Sequence, residues 1–278
     1  MDIKLVVLDI DGTLLTTGGE LAPRVRRAIR DVREKGIAVV LATGRRLCRT
    51  MPWVRALGLT DPVIAHNGAV IVHPEDERVL VKRVLPLDIA QRLVEQLGQL
   101  RVQYCLYDGA FAGDEVFVER EFWQASRGVF RQFLADAADP VDAIAFHHPP
   151  VKISVLDETE RLSPLLPIWR QEFGADTTML VFESRDYLGV EFMAFGCSKA
   201  SGVEFVLNES GLAFSQVLAM GDDVNDIELL DRAGMGFAMA NSPQEVREGA
   251  RFVAPSNDDD GVAEVLEEYL LPGGRFFG

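Results

Sequence analysis

The sequence contains few cysteines, and their spacing limits what they can do. Cys48, Cys105 and Cys197 are the only three in 278 residues, and no two of them form a CxxC pair. A disulfide framework requires an even number of paired cysteines, so this pattern does not indicate one. We therefore expect a protein of the reducing cytoplasm.

Positive charge is also scarce. The chain has 28 Lys and Arg residues against 43 Asp and Glu residues, which gives a net charge of −15. Nucleic acids and anionic membrane surfaces are bound through Lys and Arg, so this balance argues against both as partners. An anionic substrate would need a metal ion or a few well-placed cations to offset the acidic side chains.

Long apolar segments are missing as well. No run approaches the roughly 18 apolar residues of a membrane-spanning helix, and the first residues lack the basic and apolar regions of a signal peptide. Apolar residues nevertheless make up 48% of the chain, which is typical of a soluble globular protein. The length allows one large domain or two domains of ordinary size.

Strands and helices alternate in the first and last thirds of the chain. Apolar strands such as IKLVVLDI and QVLAMGD are followed by amphipathic helices, which predicts a parallel sheet covered on both faces. The segment PVIAHNGAVIV is predicted as one further strand. The middle of the chain has pairs of short strands between helices, and one of these helices is predicted over 120–134. This pattern predicts an α+β module with a largely antiparallel sheet. We therefore expect an α/β core formed by residues 1–82 and 191–278, with an insertion at 83–190.

Two acids follow the first apolar strand, in the segment KLVVLDIDGTLL. Asp9 and Asp11 repel each other at this spacing unless a cation lies between them, and Mg²⁺ is the expected ion because it prefers oxygen ligands. One carboxylate can also act as a nucleophile that accepts a phosphoryl group, and the other as a general acid and base. An Asp-Gly turn with a capping acid is the alternative, and it accounts less well for two acids directly after a buried strand.

A second acidic group follows another apolar strand, in the segment MGDDVND. Asp222 and Asp226 are candidate metal ligands, and Asp223 is a weaker candidate. Acids in the first turn of a helix also stabilise the helix dipole, and this alternative explains Asp226 well. Asn225 either holds a ligand or caps the helix.

Thr43 in LATGR and Lys199 in FGCSKASG are candidate phosphate donors. The Thr43 hydroxyl and nearby backbone N–H groups suit an oxyanion, although a simple Thr-Gly turn is an alternative. Lys199 stands near the start of a helix, where a positive charge is unfavourable. This placement favours a role opposite carboxylates or phosphate over a solvated lysine.

Taken in order, the segments DIDGTLL, ATGR, SKASG and GDDVND resemble the four motifs of the haloacid dehalogenase superfamily of phosphohydrolases. The NGA segment, the place of the insertion and SNDDDGVAEVL resemble its Cof-type branch. The resemblance implies a Rossmann-like core with an inserted α+β cap of type 2. It also implies a Mg²⁺-dependent phosphatase that acts on a small phosphorylated metabolite, most often a sugar phosphate, through an aspartyl-phosphate.

The resemblance also implies roles for individual residues. The catalytic residues would be Asp9 as nucleophile, Asp11 as general acid and base, and Thr43 and Lys199 as donors to the phosphoryl oxygens. Mg²⁺ would be bound by Asp9, Asp222 and the backbone carbonyl of Asp11, with direct or water-mediated support from Asp226. Substrate contacts are expected from Gly44, Arg45, Asn67 and Asn225.

One departure from the family pattern is visible near the lysine. A Gly commonly follows this Lys in the family, whereas Ala200 and Ser201 come before Gly202 here. We expect Lys199 to keep its role because Ala is compatible with a helix. The presence of Asp11 favours phosphate chemistry over carbon–halogen cleavage, since true dehalogenases do not need this second acid.

Alternatives stay open at the level of sequence. A phosphomutase would return the phosphoryl group to another hydroxyl, and a phospho-Asp receiver or regulatory binding protein would keep it on Asp9. Either a monomer or a homodimer is compatible with the sequence. Within the insertion, the candidates for substrate contact, as opposed to a solvated face, are Lys152, Glu183, Arg185 and Tyr187.

Overall fold

The chain folds into two compact units. The computed structural model describes residues 2–76, 78–109, 115–125, 130–131, 138–142, 148–184 and 187–272. The core unit comprises Met1–Leu80 and Ser198–Gly278, and the inserted unit comprises Val81–Cys197. The predicted second boundary, at residue 190, lies inside a strand that continues to Ala194. The insertion therefore extends further than its sequence pattern indicated, because this strand belongs to the sheet of the inserted unit.

The described secondary structure follows the chain in this order. The strands are β1 (Leu5–Leu8), β2 (Ala38–Leu41), β3 (Val63–Ala65), β4 (Val70–His73), β5 (Arg78–Lys82), β6 (Tyr104–Tyr107), β7 (Val116–Glu119), β8 (Ala138–Val141), β9 (Lys152–Glu158), β10 (Thr177–Ser184), β11 (Tyr187–Ala194), β12 (Val217–Gly221), β13 (Met235–Met239) and β14 (Phe252–Ala254). The α-helices are α1 (Pro23–Glu34), α2 (Leu47–Leu57), α3 (Leu87–Leu100), α4 (Arg120–Ala125), α5 (Thr159–Leu162), α6 (Leu166–Phe173), α7 (Lys199–Ser210), α8 (Ile227–Arg232), α9 (Gln244–Gly249) and α10 (Gly261–Leu270).

A parallel sheet forms the centre of the core unit. Its strand order is β14-β13-β12-β1-β2, and β1 is parallel to both of its neighbours. Every residue of β1 is buried, which explains why this strand is apolar at each position instead of alternating. Because the strands are parallel, the segments that follow β1, β2 and β12 leave the sheet at the same edge. The predicted α/β architecture is confirmed.

The segment predicted as one long strand is a hairpin. Antiparallel strands β3 and β4 are separated by His66, Asn67 and Gly68. These three residues have φ angles of 48°, 52° and 86°. A residue with positive φ cannot continue a strand, so the chain reverses here. The single-strand prediction was wrong because the apolar residues on both sides concealed this turn.

The inserted unit is an α+β module. Its sheet has the order β10-β11-β9-β6-β7-β8, and its described pairs are antiparallel except for β7 with β8. One sheet face packs with apolar residues of α3 and α6, including Leu93, Trp169 and Phe173. Of the helix predicted over 120–134, α4 forms the first part, and residues 126–129 and 132–137 lie outside the described residues. The largely antiparallel insertion is confirmed, although β8 was not predicted.

Candidate active site

The residues predicted to carry chemistry converge at one edge of the core sheet. Asp9 directly follows β1, and Asp222 directly follows β12. Carboxylate oxygens of Asp9, Asp222 and Asp226 lie within 4.8 Å of one another. Residues more than two hundred positions apart in the chain therefore form one cluster, which we call the acidic cluster.

Lys199 brings a positive charge into the acidic cluster. Its Nζ lies 2.9 Å from Asp9 Oδ1 and donates a hydrogen bond of 2.8 Å to Asp226 Oδ1, and the side chain is 1% exposed. Burial alone would lower the pKa of Lys199, but the charges of Asp226 and Asp9 outweigh burial and raise the pKa above its usual value. Lys199 is therefore an ammonium ion, and the alternative of a solvated lysine does not apply.

Asp226 is the most buried member of the acidic cluster and is hydrogen-bonded to its neighbours. Its carboxylate is fully buried, and Oδ2 accepts backbone hydrogen bonds from Asp222 and Asp223 at 3.2 Å each. Gly221 makes room for it, because a Cβ on that glycine would lie 2.2 Å from the Asp226 Cγ. With Oδ1 bound to Lys199, both carboxylate oxygens already have protein donors. Asp226 therefore orients the turn after β12 as well as the lysine.

Asp222 is held by the loop that follows β1. Thr13 Oγ1 donates a hydrogen bond of 3.0 Å to Asp222 Oδ1. The backbone of Gly12 approaches so closely that a Cβ there would lie 2.1 Å from Asp222 Oδ2. Burial, together with the charge of Asp226, raises the pKa of Asp222 to about 7, although the Thr13 hydrogen bond acts in the opposite direction. The protein alone does not stabilise an ionised Asp222 well.

Asp9 is in a similar electrostatic position. Burial raises its pKa well above the usual value, the charge of Lys199 acts to lower it, and Asp226 and Asp222 raise it further. Three carboxylates face one ammonium group, so two negative charges in the cluster have no positive partner within it. A divalent cation with a preference for oxygen ligands would balance this charge. The donor set therefore fits Mg²⁺.

Asp11 lies outside the acidic cluster and contacts Arg45. The Arg45 guanidinium binds both carboxylate oxygens, with Nε donating to Oδ2 at 2.6 Å and Nη2 donating to Oδ1. The Asp11 side chain is 64% exposed and that of Arg45 is 26% exposed. Arg45 was predicted to contact substrate, and its contact with Asp11 was not predicted.

The predicted polar residues after β2 and β3 form a second group. Thr43 is buried, its Oγ1 accepts a hydrogen bond of 3.2 Å from the Arg45 backbone N–H, and its carbonyl accepts one of 2.9 Å from the Asn67 N–H. Gly44 lies against the Asn67 side chain, because a Cβ on Gly44 would be 3.1 Å from Asn67 Nδ2. Asn225 Nδ2 donates to Asn67 Oδ1 at 2.9 Å. These contacts join the β2, β3 and β12 ends.

The departure in the lysine motif is accommodated by a capping box. Ser198 Oγ accepts a hydrogen bond from the Ser201 N–H, and Ser201 Oγ accepts one from the Ser198 N–H, both at 3.0 Å. This arrangement satisfies the first turn of α7 and places Lys199 at its first position. Gly202 is needed one turn later, since a Cβ there would lie 2.6 Å from Ile64 Cγ2. Ser201 thus has a structural role in this chain.

Two asparagines hold the loop after β1, and sequence reasoning had not assigned Asn241. Asn241 Nδ2 donates to the Gly12 carbonyl at 2.8 Å, and Asn257 Nδ2 donates to the Leu15 carbonyl at 2.8 Å. The Asn257 N–H also donates to Asn241 Oδ1 at 3.1 Å. Thr13, which holds Asp222, was likewise not assigned, although it stands within the quoted DIDGTLL segment. For Asn241 the sequence carries no comparable signal.

Among the candidates in the inserted unit, Lys152 forms an ion pair. Its Nζ donates to Glu191 Oε1 at 2.5 Å, and both side chains are buried on neighbouring strands. The predicted alternative of a solvated face does not apply to Lys152. Arg185 lies outside the described residues.

Comparison with known proteins gives the family. The profile of the haloacid dehalogenase-like hydrolases matches residues 6–266. The chain belongs to this family. The predicted resemblance and the predicted enzyme class, a hydrolase of the phosphatase type, are thereby confirmed.

Among the described helices, none combines the length and apolar character needed to cross a membrane.

Relatives match along nearly the whole chain. The chain is 26% identical over 276 residues to 5-amino-6-(5-phospho-D-ribitylamino)uracil phosphatase YcsE of Bacillus subtilis, which covers 98% of this chain and 97% of the relative. It is 27% identical over 285 residues to pyridoxal phosphate phosphatase YbhA of Escherichia coli, covering 98% and 100%. A haloacid dehalogenase-like hydrolase from Bacteroides thetaiotaomicron has a similar solved structure, with 29% identity, a TM-score of 0.81 and coverage of 95% and 98%.

Proposed function

We propose that the protein is a Mg²⁺-dependent phosphatase that hydrolyses a small phosphorylated metabolite through an aspartyl-phosphate on Asp9. The observation that carries this proposal is the position of Asp9, buried at the end of β1 and 2.9 Å from Lys199 Nζ in the acidic cluster. A nucleophilic carboxylate must be ionised, and a lysine with a divalent cation would keep it so. The family membership supports the same chemistry.

The metal would be held by the carboxylates of Asp9 and Asp222 and by the backbone carbonyl of Asp11. Asp226 supports these ligands through its backbone contacts to the turn after β12. When bound, Mg²⁺ supplies positive charge that offsets the charge developing on the transferred group. Lys199 and the Thr43 hydroxyl donate hydrogen bonds to phosphoryl oxygens. Lys199 also supplies a positive charge, which an anionic substrate needs in an acidic protein.

The two chemical steps use the two acids differently. In the first step an Asp9 oxygen forms a bond to phosphorus while the bond to the leaving oxygen breaks, and Asp11 gives that oxygen a proton. In the second step Asp11 takes a proton from water, the water oxygen bonds to phosphorus, and the bond to Asp9 breaks. The products are an alcohol and inorganic phosphate, and both acids return to their starting states.

The inserted unit is the cap that sets the choice of alcohol. Two relatives of almost equal identity are named for different phosphorylated substrates, so similarity of this degree does not name the substrate here. Small phosphomonoesters, including sugar phosphates, are the substrate class. A screen of such compounds with Mg²⁺, scored by phosphate release, identifies the members that this chain accepts.

The central test replaces the nucleophile. With p-nitrophenyl phosphate and Mg²⁺, Asp9→Asn should lose turnover, because an amide oxygen does not form the covalent intermediate. Asp231→Asn, which neutralises an exposed acid on α8, is the matched control and should retain full activity. Turnover by Asp9→Asn would contradict the mechanism.

Product analysis separates the remaining alternatives. The proposal requires stoichiometric free phosphate from the true substrate. Formation of a phosphorylated isomer without free phosphate would indicate a mutase. A long-lived phosphate on Asp9 with negligible release would indicate a receiver or regulatory binding protein.

A further inference from the structure

Arg45 and Asp11 form a two-pronged contact beside the acidic cluster. The guanidinium binds both carboxylate oxygens, one of them at 2.6 Å. Such fork-to-fork pairing fixes the direction of a carboxylate more firmly than a single hydrogen bond does. Asp11 is the exposed member of the pair, so Arg45 is its main restraint among the described contacts of that side chain.

The backbone of Arg45 is itself held at two points. Its N–H donates to Thr43 Oγ1 at 3.2 Å, and its carbonyl accepts from the His66 N–H at 3.0 Å. The guanidinium therefore extends from a fixed position between the ends of β2 and β3. Asp11 stands directly before Gly12, whose φ angle of 68° turns the chain toward Asp222. The pair thus joins two loops of the site.

This contact is incompatible with the proton transfers that Asp11 has to make. A carboxylate whose two oxygens both accept from a guanidinium presents neither oxygen to a leaving group or a water molecule. Arginine stays protonated in proteins, so Arg45 does not replace Asp11 as acid or base. Each catalytic cycle therefore requires Arg45 to release at least one Asp11 oxygen, which takes up a proton from solvent before the first step and returns it to solvent after the second. Release is inexpensive, because partly exposed ion pairs are weak.

We propose that Arg45 is a positioning residue for Asp11, which holds the carboxylate in place in the free enzyme and keeps one oxygen when the other turns to the reacting atoms. The inference rests on the proposed phosphatase and adds a role that is distinct from substrate contact. Arg45 therefore affects the proton transfers that Asp11 makes in both steps. It does not affect the attack by Asp9 when the leaving group departs without a proton.

The test separates these steps by the leaving group. Nitrophenolate leaves without a proton, whereas an alkoxide needs the proton from Asp11. In rapid-mixing experiments, Arg45→Ala should release the first equivalent of nitrophenolate at the wild-type rate and then turn over slowly. With an alkyl phosphate, both the first equivalent and steady turnover should slow, by on the order of 10²-fold for a displaced catalytic group. Arg55→Ala, which removes a charge from the far end of α2, should match the wild type.

Two further variants exclude a merely structural effect. Guanidinium added to Arg45→Ala should restore part of the lost turnover, because the site is open enough to admit it. Arg45→Lys, which donates from one point, should be intermediate. The double variant Arg45→Ala with Asp11→Asn should turn over no more slowly than Asp11→Asn alone, since the arginine acts through Asp11.

Several outcomes would overturn the inference. A loss of the first nitrophenolate equivalent in Arg45→Ala would show that Arg45 binds the phosphoryl group instead. Additive losses in the double variant, or no response to guanidinium, would show that the residue does not act through Asp11. If the wild-type enzyme hydrolysed neither ester, the proposed phosphatase function itself would be wrong. This outcome differs from a failure of the Arg45 role, in which the wild type is active and only the variants behave differently from the expectation.

Discussion

The affinity for Mg²⁺ should depend on pH far more steeply than ordinary aspartates would allow. The structure raises the pKa of Asp222 to about 7, against an ordinary value of 3.8. A metal ligand must be deprotonated, so protons compete with the metal below that pKa. Asp9, whose pKa is also raised, acts in the same direction. The perturbation to test is acidification from pH 8 to pH 5 at constant ionic strength.

The magnitude follows from the shifted value. One competing proton weakens metal binding about tenfold for each pH unit below the pKa, so the dissociation constant at pH 5 should be about 100-fold above its plateau. A carboxylate with the ordinary pKa would leave the affinity nearly constant over this range. A contribution from Asp9 would make the dependence steeper still.

The same shift predicts how the metal-free protein responds to pH. Between pH 4 and pH 7 the folded state keeps a proton on Asp222 that the unfolded chain has lost, so stability falls as pH rises. One pKa unit corresponds to about 1.4 kcal/mol, which gives a loss of about 4 kcal/mol from this residue across the interval. Bound Mg²⁺ should reverse the trend, since it favours the ionised carboxylate.

Titration calorimetry measures both the affinity and the protons released. Carried out in buffers of different ionisation enthalpy, it should show about one proton released per Mg²⁺ at pH 6 and far fewer at pH 8. Asp222→Asn is the control, because its side chain keeps an oxygen but does not titrate, and its binding should lose the part of the pH dependence that Asp222 contributes. An affinity that is flat from pH 5 to pH 8, or a dependence that is as steep in Asp222→Asn as in the wild type, would contradict this prediction.

Three further substitutions test the packing of the site. Gly12→Ala should weaken Mg²⁺ binding in calorimetry, because its Cβ would lie 2.1 Å from an oxygen of Asp222; unchanged affinity would contradict this role of the loop. Gly202→Ala should lower the free energy of unfolding in urea by roughly 1–3 kcal/mol through overpacking against Ile64, and a neutral result would show that α7 can shift. Lys199→Met should abolish turnover and destabilise the metal-free protein by roughly 3–5 kcal/mol at pH 8, because buried carboxylates lose their cation; the loss should be smaller at pH 5, since the raised pKa values of Asp9 and Asp222 favour their neutral forms there.

Much of the core unit follows from the pattern of its sequence. The apolar run before Asp9 predicts a strand buried on both faces, and the order of strands and helices predicts a parallel sheet. Convergence of Asp9 and Asp222 then follows from geometry, because parallel strands present their carboxyl ends at one edge. The resemblance to a known family added the roles, which neither composition nor periodicity supplies.

The turn at His66, Asn67 and Gly68 was beyond this kind of prediction. Apolar periodicity describes which face of a strand is buried, and it does not report the φ angle at which a chain reverses. A glycine after an asparagine is a turn signal, but the apolar residues on both sides outweighed it. The consequence is local, since Asn67 still lies at the end of β3.

Side-chain pairing within the site was also beyond the sequence. Arg45 carries a positive charge next to a phosphate motif, and this alone favours substrate contact over contact with Asp11. Asn241 and Asn257 act through their amides on the carbonyls of a distant loop. Nothing in the spacing of residues so far apart predicts which carbonyl an amide will reach.

The acidic composition and the phosphorylated substrate are compatible because the site does not depend on average charge. Lys199 is held by Asp9 and Asp226 at distances below 3 Å, so the same acids that repel a phosphate also fix the position of the cation that would bind it. The same acids leave a net negative charge that favours a divalent metal. Removing acids from the cluster would therefore weaken phosphate binding, not strengthen it, since the metal and the oriented ammonium group would be lost together.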